Sequence, residues 1–413
     1  MKTLTKYFGF FIIGVFFFGC APQQEPTKIV ISNPTSMQRL DEPITMYRDE
    51  FQNYIVENGP ANVPVLETPE GEEVPSQVDD VDRDGLWDEF FFLVDLEPNA
   101  EIELLVSFVE PGNVPDYAQR ANVRFGSIDP PYMELDDVVR LKSAETALSS
   151  AEFQMEGPAW ENDVVAFRNY FDARNGIDIY GKRTSEMVMD SVGLFESYHE
   201  LQDWGMDVLK VGNSLGAGAI ALEVNDEIHR IGLPEKGMYH RIADGPLRAS
   251  FELTFEDMEI EGTGYDIVHY ISIWGGSHFY KSEVEVKGLT GDETLITGIV
   301  NMESDTFYVH NPNDRYVYFT THDYQAYDGE ILGMGILMEK GPFNYMLTAP
   351  ESGEGVIQTY MASLNITEEK PVTFYFFAGW ELQDPAFKDR DAFTKILEKY
   401  AQRLASPVNV NLE

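Results

Sequence analysis

The runs Phe90-Phe91-Phe92-Leu93-Val94, Ile102-Glu103-Leu104-Leu105-Val106, Ile267-Val268-His269-Tyr270-Ile271 and Tyr316-Val317-Tyr318-Phe319-Thr320 decide the fold. Each is short, rich in aromatic and β-branched residues, and either alternating or continuously apolar. Turn-forming residues separate such runs: Pro111-Gly112-Asn113, Asn225-Asp226, Gly275-Gly276 and Asp328-Gly329. Short apolar runs punctuated in this way predict an all-β, antiparallel protein. Helical periodicity is scarce. It emerges near the end of the chain, where Ala392, Phe393, Ile396, Leu397, Tyr400, Ala401 and Leu404 recur at three- and four-residue spacing. That pattern predicts one helix docked on the sheet. Asp391 in its first turn and Arg403 in its last suit the helix dipole.

Composition sets the scale. The chain has 413 residues, with 27 Phe, 21 Tyr and 5 Trp. That supports a large core, in two or three ordinary domains or one very large β domain. Acidic residues number 71 against 29 basic, a net charge of −42. Nucleic-acid partners are excluded on this balance, because such binding requires Lys and Arg to neutralise phosphate. An anionic substrate would need a local basic pocket that overcomes the global field.

The first twenty residues read as an export signal. Lys2 and Lys6 precede a short apolar run from Phe8 to Phe18, and Gly19-Cys20 follows. The run is shorter than the roughly 20 apolar residues a membrane span needs, and its layout is that of a signal peptide over residues 1–19. Gly19-Cys20 resembles a bacterial lipobox, although Phe17 stands where Leu is usual. The resemblance implies acylation of Cys20 and an exported lipoprotein anchored to a bacterial, expectedly outer, membrane. A stray signal-peptide cysteine is the alternative. Cys20 is the single cysteine, so its acylation leaves no thiol for disulfides, zinc sites or nucleophilic catalysis. Residues 20–36, rich in Pro, Gln, Thr and Ser, read as a flexible linker, and 37–405 as the folded domain.

Several local patterns carry chemistry. Asp80-Val81-Asp82-Arg83-Asp84-Gly85 matches the opening of an oxygen-ligand calcium loop. Alternate carboxylates can converge on a hard cation, and glycine permits the bend. A twelve-residue loop would end in Glu at position 91, which is Phe91, so Asp88 or Glu89 must substitute. Asp80, Asp82, Asp84 and Asp88 are the expected ligands of a structural calcium ion. An ordinary acidic turn fits the same residues. No organic cofactor is expected. The glycine-rich stretch 211–221 lacks the strand–helix context of a dinucleotide site, and P-loop, nucleophile-elbow and zincin motifs do not occur.

The densest polar segment runs from Gly157 to Lys182. Trp160, Phe167, Tyr170, Phe171 and Tyr180 interleave there with Asp163, Arg168, Asp172, Arg174, Asn175, Asp178 and Lys182. Aromatic faces with charged neighbours suit sugar recognition, and a strand pair with ion pairs on a wet face suits the pattern equally. Further clusters are 238–241 with 245–248, 274–281 and 321–324.

Four stretches carry a resemblance. They are Gly-Pro-Ala-Trp-Glu-Asn-Asp with Ala-Phe-Arg (157–168), Arg-Asn-Gly-Ile-Asp-Ile-Tyr-Gly-Lys (174–182), Trp-Gly-Met-Asp-Val-Leu-Lys-Val-Gly-Asn-Ser-Leu-Gly-Ala-Gly (204–218) and Asp-Gly-Pro-Leu-Arg (244–248). They resemble secreted lipoproteins of bacterial polysaccharide-utilisation systems with one large domain of long-unknown function. The resemblance implies a galactose-mutarotase-like β-supersandwich over about residues 38–400. One branch of that family is an ulvan oligosaccharide dehydratase, which removes water from a non-reducing-end uronic acid to leave a 4,5-unsaturated sugar. The partners implied are an acidic oligosaccharide, the membrane through the lipid anchor, and other enzymes acting on the same polymer.

Such elimination needs a cation to neutralise the uronate carboxylate, a base at C5 and an acid at the C4 hydroxyl. Arg168 and Arg248 are the expected carboxylate clamps. His240, His278 and Tyr280 are the expected proton carriers, acid and base not being distinguished. Trp160, Asp163, Asn175, Lys182, Tyr239 and His322 are the expected substrate contacts. A polysaccharide lyase, a glycoside hydrolase and a non-catalytic glycan-binding lipoprotein are the competing readings.

Overall fold

The computed structural model describes residues 27–146 and 149–413. The signal peptide 1–19, Cys20 and linker residues 21–26 lie outside the described residues. Within them the chain is an antiparallel β-supersandwich with a docked C-terminal helix.

A nine-stranded sheet forms the centre. Its order is Tyr308–His310, Tyr316–Asp323, Leu332–Glu339, Val372–Trp380, Phe279–Lys287, Thr263–Trp274, Arg248–Ile260, Lys236–Asp244 and Asp137–Leu141. Its inner face packs on two five-stranded sheets, one built around Val165–Asn169 and Ile177–Lys182, the other around Ala217–Val224 and Thr294–Val300. Tyr239, Phe251, Ile271, Tyr280 and Phe376 fill the space between the layers. The Asn225-Asp226 turn forms a hairpin as read, and φ is +52° and +65° at the two residues. Positive φ at both positions makes it a turn whose twist matches the strands it joins.

The helix Arg390–Ala405 lies on the outer face of the large sheet and buries Phe393, Leu397, Tyr400 and Ala401. The Asp389 side chain caps it, accepting from the Asp391 N–H at 2.8 Å. Glycines in the sheet beneath let it approach. A Cβ at Gly333 would sit 2.6 Å from the Phe393 ring, and one at Gly379 2.8 Å away.

A separate N-terminal lobe has its own core of Ile29, Ile31, Ile44, Met46, Phe51, Phe90, Phe92 and Leu96. Here the linker expectation is corrected. Lys28–Ser32 is a strand that pairs with Glu101–Val109 on one side and with Asn409–Leu412 on the other. The Pro, Thr and Ser around it obscure a short apolar run whose Ile29, Val30 and Ile31 are all buried. The folded body therefore starts before 37 and ends after 405. The lobe's three-stranded sheet, which contains Arg39–Tyr47, Ser76–Asp79 and Glu89–Leu96, leans over the outer face of the large sheet beside the helix.

Candidate active-site cleft

Strand parity decides what the cleft contains. Residues directly opposite across antiparallel strands share a face. One row of the outer face runs Asp137, His240, Glu252, Tyr270, Glu283, Thr373. The next runs Ser250, Ser272, Lys281, Tyr375. Arg248 and Trp274 face each other beyond it. The N-terminal lobe roofs these rows with Tyr47, Glu89 and Phe91. A cleft of about 350 Å³ opens between roof and floor, with Arg248, Tyr270, Lys281 and Glu283 among its walls.

Arg248 is held by the lobe. Its backbone N–H donates to Gln77 Oε1 at 2.8 Å, and its Nε donates to Asp79 at 3.0 Å. Nη2 donates to Glu89 at 2.6 Å and also reaches Asp79. The guanidinium lies over the Phe91 ring. Burial works against its charge, but Asp79 and Glu89 outweigh that, and its pKa is raised. Among the described residues Nη1 has no hydrogen-bond partner. Lys281 pairs with Glu283 at 2.7 Å. Burial, together with Glu252, Glu285 and Glu283, raises the Tyr270 pKa, so this phenol stays protonated and can donate. Tyr47 is raised the same way, by burial and then by Glu89 and Glu283. Glu252 is raised mainly by burial, with Arg83 pulling against it. The charged lining thus balances, Arg248 and Lys281 against Glu89 and Glu283, in a chain of net charge −42.

The expected site residues scatter. Arg248 and His240 share the outer face, but both ring nitrogens of His240 are engaged. Nε2 accepts from Arg83 Nε at 2.5 Å, and Nδ1 lies 3.0 Å from Asp137. His278 lines a second cavity of about 350 Å³, between the helix and Leu40–Asp41, which shares Trp274 and Tyr400 with the cleft. Burial lowers its pKa to about 4, leaving a neutral ring whose Nδ1 is shielded and without a partner. Tyr280 and Tyr239 are corrected, because alternation sends them into the core while Lys281 and His240 face out. The Tyr280 hydroxyl donates to the Ala217 carbonyl at 2.6 Å, and Tyr239 is 1% exposed.

The dense segment 157–182 is corrected as a whole. Its strands are covered on one side by the main core and on the other by Met155, Met189, Val192, Tyr198 and Trp204. Trp160 is a core residue. Arg168 is wholly buried and donates to Asp178 at 2.7 Å and to the Met155 carbonyl at 2.5 Å. Lys182 pairs with Glu161 at 2.5 Å. Asn175 is buried and accepts from Asn169. Asp163 is taken up by Arg120, at 2.7 Å, and by the Gly276 N–H. His322 lies under the helix, with Nε2 at 2.7 Å from the Phe387 carbonyl. None of these side chains lines the cleft.

The acidic loop partly converges. Carboxylate oxygens of Asp80, Asp82 and Asp88 lie within 4.8 Å of one another, and Asp80 Oδ1 is shielded without a partner. Asp84 is not of the group, and its carboxylate accepts from the Leu86 N–H. Three carboxylates are oxygen donors of the kind a hard cation takes.

Tyr270, Glu283, Tyr47 and Glu89 were not anticipated. The available signal was the alternation Tyr270-Ile-Ser272-Ile-Trp274, which places three polar or amphipathic side chains on one face.

Fold and cleft define a β-supersandwich protein with a polar, charge-balanced cleft beneath an N-terminal lobe. The chain belongs to the family described as "Domain of unknown function (DUF4861)", whose profile matches residues 31–410. It is similar to "Uncharacterized protein P7" of Formosa agariphila, 22% identical over 429 residues and covering 98% of each chain. Among solved structures it is similar to an alpha-mannosidase from Enterococcus faecalis, with TM-score 0.48, 11% identity and coverage of 94% of this chain and 46% of that one. A glycosyl hydrolase family 38 protein from the same organism gives TM-score 0.45 and 10% identity, with 95% and 48% covered. The chain spans about half the length of those two structures.

Proposed function

We propose that the chain is a carbohydrate-active dehydratase that eliminates water from the non-reducing-end uronate of an acidic, ulvan-like oligosaccharide. One observation carries the reading: Arg248, Lys281 and the protonated Tyr270 line one cleft, whose charged lining balances within a strongly anionic protein. A uronate would meet less repulsion there than elsewhere on the surface. The open Nη1 of Arg248 and the Lys281 ammonium would hold its carboxylate and stabilise the enolate-like transition state. Glu283 would take the C5 proton. The electrons of that C–H bond form the C4=C5 bond, the C4–O bond breaks, and Tyr270 protonates the departing hydroxyl to release water. Tyr47, Tyr375 and Trp274 supply aromatic walls for the sugar.

Hydrolysis is the second reading. It is favoured by the two carboxylates of the cleft lining, Glu89 and Glu283, the residue type that glycoside hydrolysis uses in pairs. Export and anchoring through Cys20, and a calcium ion at Asp80, Asp82 and Asp88, belong to the same proposal.

Acidic oligosaccharides with a saturated uronate end test it. The expected product is lighter by one water and absorbs in the ultraviolet through its conjugated double bond. Tyr270→Phe should lower kcat by about 10²- to 10⁴-fold at an unchanged Tm. Shortened products without that absorbance would establish hydrolysis. Unchanged turnover by Tyr270→Phe would remove the assignment of the acid.

A further inference from the structure

At the end of the sandwich remote from the cleft, two hairpins bring one imidazole and two carboxylates together. Glu227 and His229 belong to the edge strand Glu227–Arg230 of one five-stranded sheet. They pair with Val224 and Leu222, both core residues. Glu227 and His229 therefore share one face of the strand. Glu261 comes from that sheet, at the tip joining Arg248–Ile260 to Thr263–Trp274, where its φ is +50°. One ligand atom from each of the three lies within 4.8 Å of the others.

A second observation points to a ligand. His229 Nε2 is shielded from solvent and has no hydrogen-bond partner. It lies 3.9 Å from Glu261 Oε1, too far for a hydrogen bond. Two donors on one tetrahedral ion at about 2.0–2.1 Å stand roughly 3.4 Å apart, so a small contraction would close the site. The other Glu261 oxygen accepts from the Asn225 side chain, which orients the carboxylate as outer partners of metal ligands do.

We propose that Glu227, His229 and Glu261 bind one divalent transition-metal ion, zinc in the first place. The ion staples the edge of one layer of the sandwich to the other. Imidazole with two carboxylates suits zinc, with water completing the tetrahedron. Calcium wants six to eight oxygens and is a poor match for a three-donor set containing nitrogen. Glu261 follows the far end of the strand that Arg248 begins, about 40 Å away at 3.3 Å per residue, so the ion acts on the fold and not on the cleft. It neutralises two facing carboxylates.

The test uses chelator-stripped full-length chain titrated with zinc chloride by calorimetry and followed by thermal melting. One equivalent should bind and raise Tm. His229→Gln should melt like the stripped wild type, lose one equivalent of zinc and show no rise. Should that variant fail to fold, Glu261→Gln at the hairpin tip gives the same readout. Equal zinc stoichiometry and equal Tm response in wild type and variants would mean an adventitious ion only and would overturn the proposal. So would the absence of zinc binding by the wild type.

Discussion

His269 illustrates how a single residue's surroundings set a property of the protein. It sits between the two layers, 1% exposed, with Nε2 2.6 Å from the Ser282 hydroxyl. Burial alone lowers its pKa from 6.5 to about 3. The folded state then refuses a proton that the unfolded chain accepts below pH 6.5. Stability is full above that value and is lost as pH falls toward 3. At pH 5 this one residue should cost about 2 kcal/mol. Urea unfolding at pH 7 and pH 5 checks it. A fall of that size in wild type, flattened in His269→Gln, is expected, and identical pH slopes in both would refute it. The strand around His269 was legible in the sequence, and the side to which the ring points was not. The same holds for Tyr239-His240 and Tyr280-Lys281. Each pair was read as one cluster, and the pleat sends its two members to opposite faces.

Among the elements, the C-terminal helix was the most legible. The apolar spacing marks the buried face, with Phe393, Leu397, Tyr400 and Ala401 all packed on the sheet. Its seat was hidden, because Gly333 and Gly379 reveal nothing about a helix until Phe393 is seen above them. Phe393→Ala should destabilise by about 3–5 kcal/mol, the range for deleting a buried ring. Denaturant unfolding measures this, and a loss under 1 kcal/mol would mean the ring is not a packing anchor. The segment 157–182 shows the opposite case. Its aromatic and charged residues were visible, yet their pairing across a doubly covered sheet depends on residues near 189–204 that no local pattern connects to it.

For the whole molecule, the N-terminal lobe completes the cleft, and contacts distant in sequence, beyond those to Arg248, help hold it in place. Arg403 of the helix donates to Glu42 at 2.7 Å. Arg83, in the acidic loop, reaches His240 and Asp137 of the large sheet. An ion at Asp80, Asp82 and Asp88 would rigidify that loop, so on the calcium proposal chelation should lower Tm and calcium should restore it. A Tm indifferent to both would remove the ion from the account. The amino-acid sequence determined the all-β character, the docked helix and the excess of negative charge, because these follow from composition and from patterns spanning a few neighbouring residues. The pairing of Lys28–Ser32 with Asn409–Leu412, the burial of Arg168 and Lys182, and the meeting of Tyr47, Arg248, Tyr270 and Glu283 were decided only by the tertiary structure. Each depends on which face of a strand points inward and on which distant strand lies beside it, and a pleat of period two leaves both undetermined until the layers are stacked.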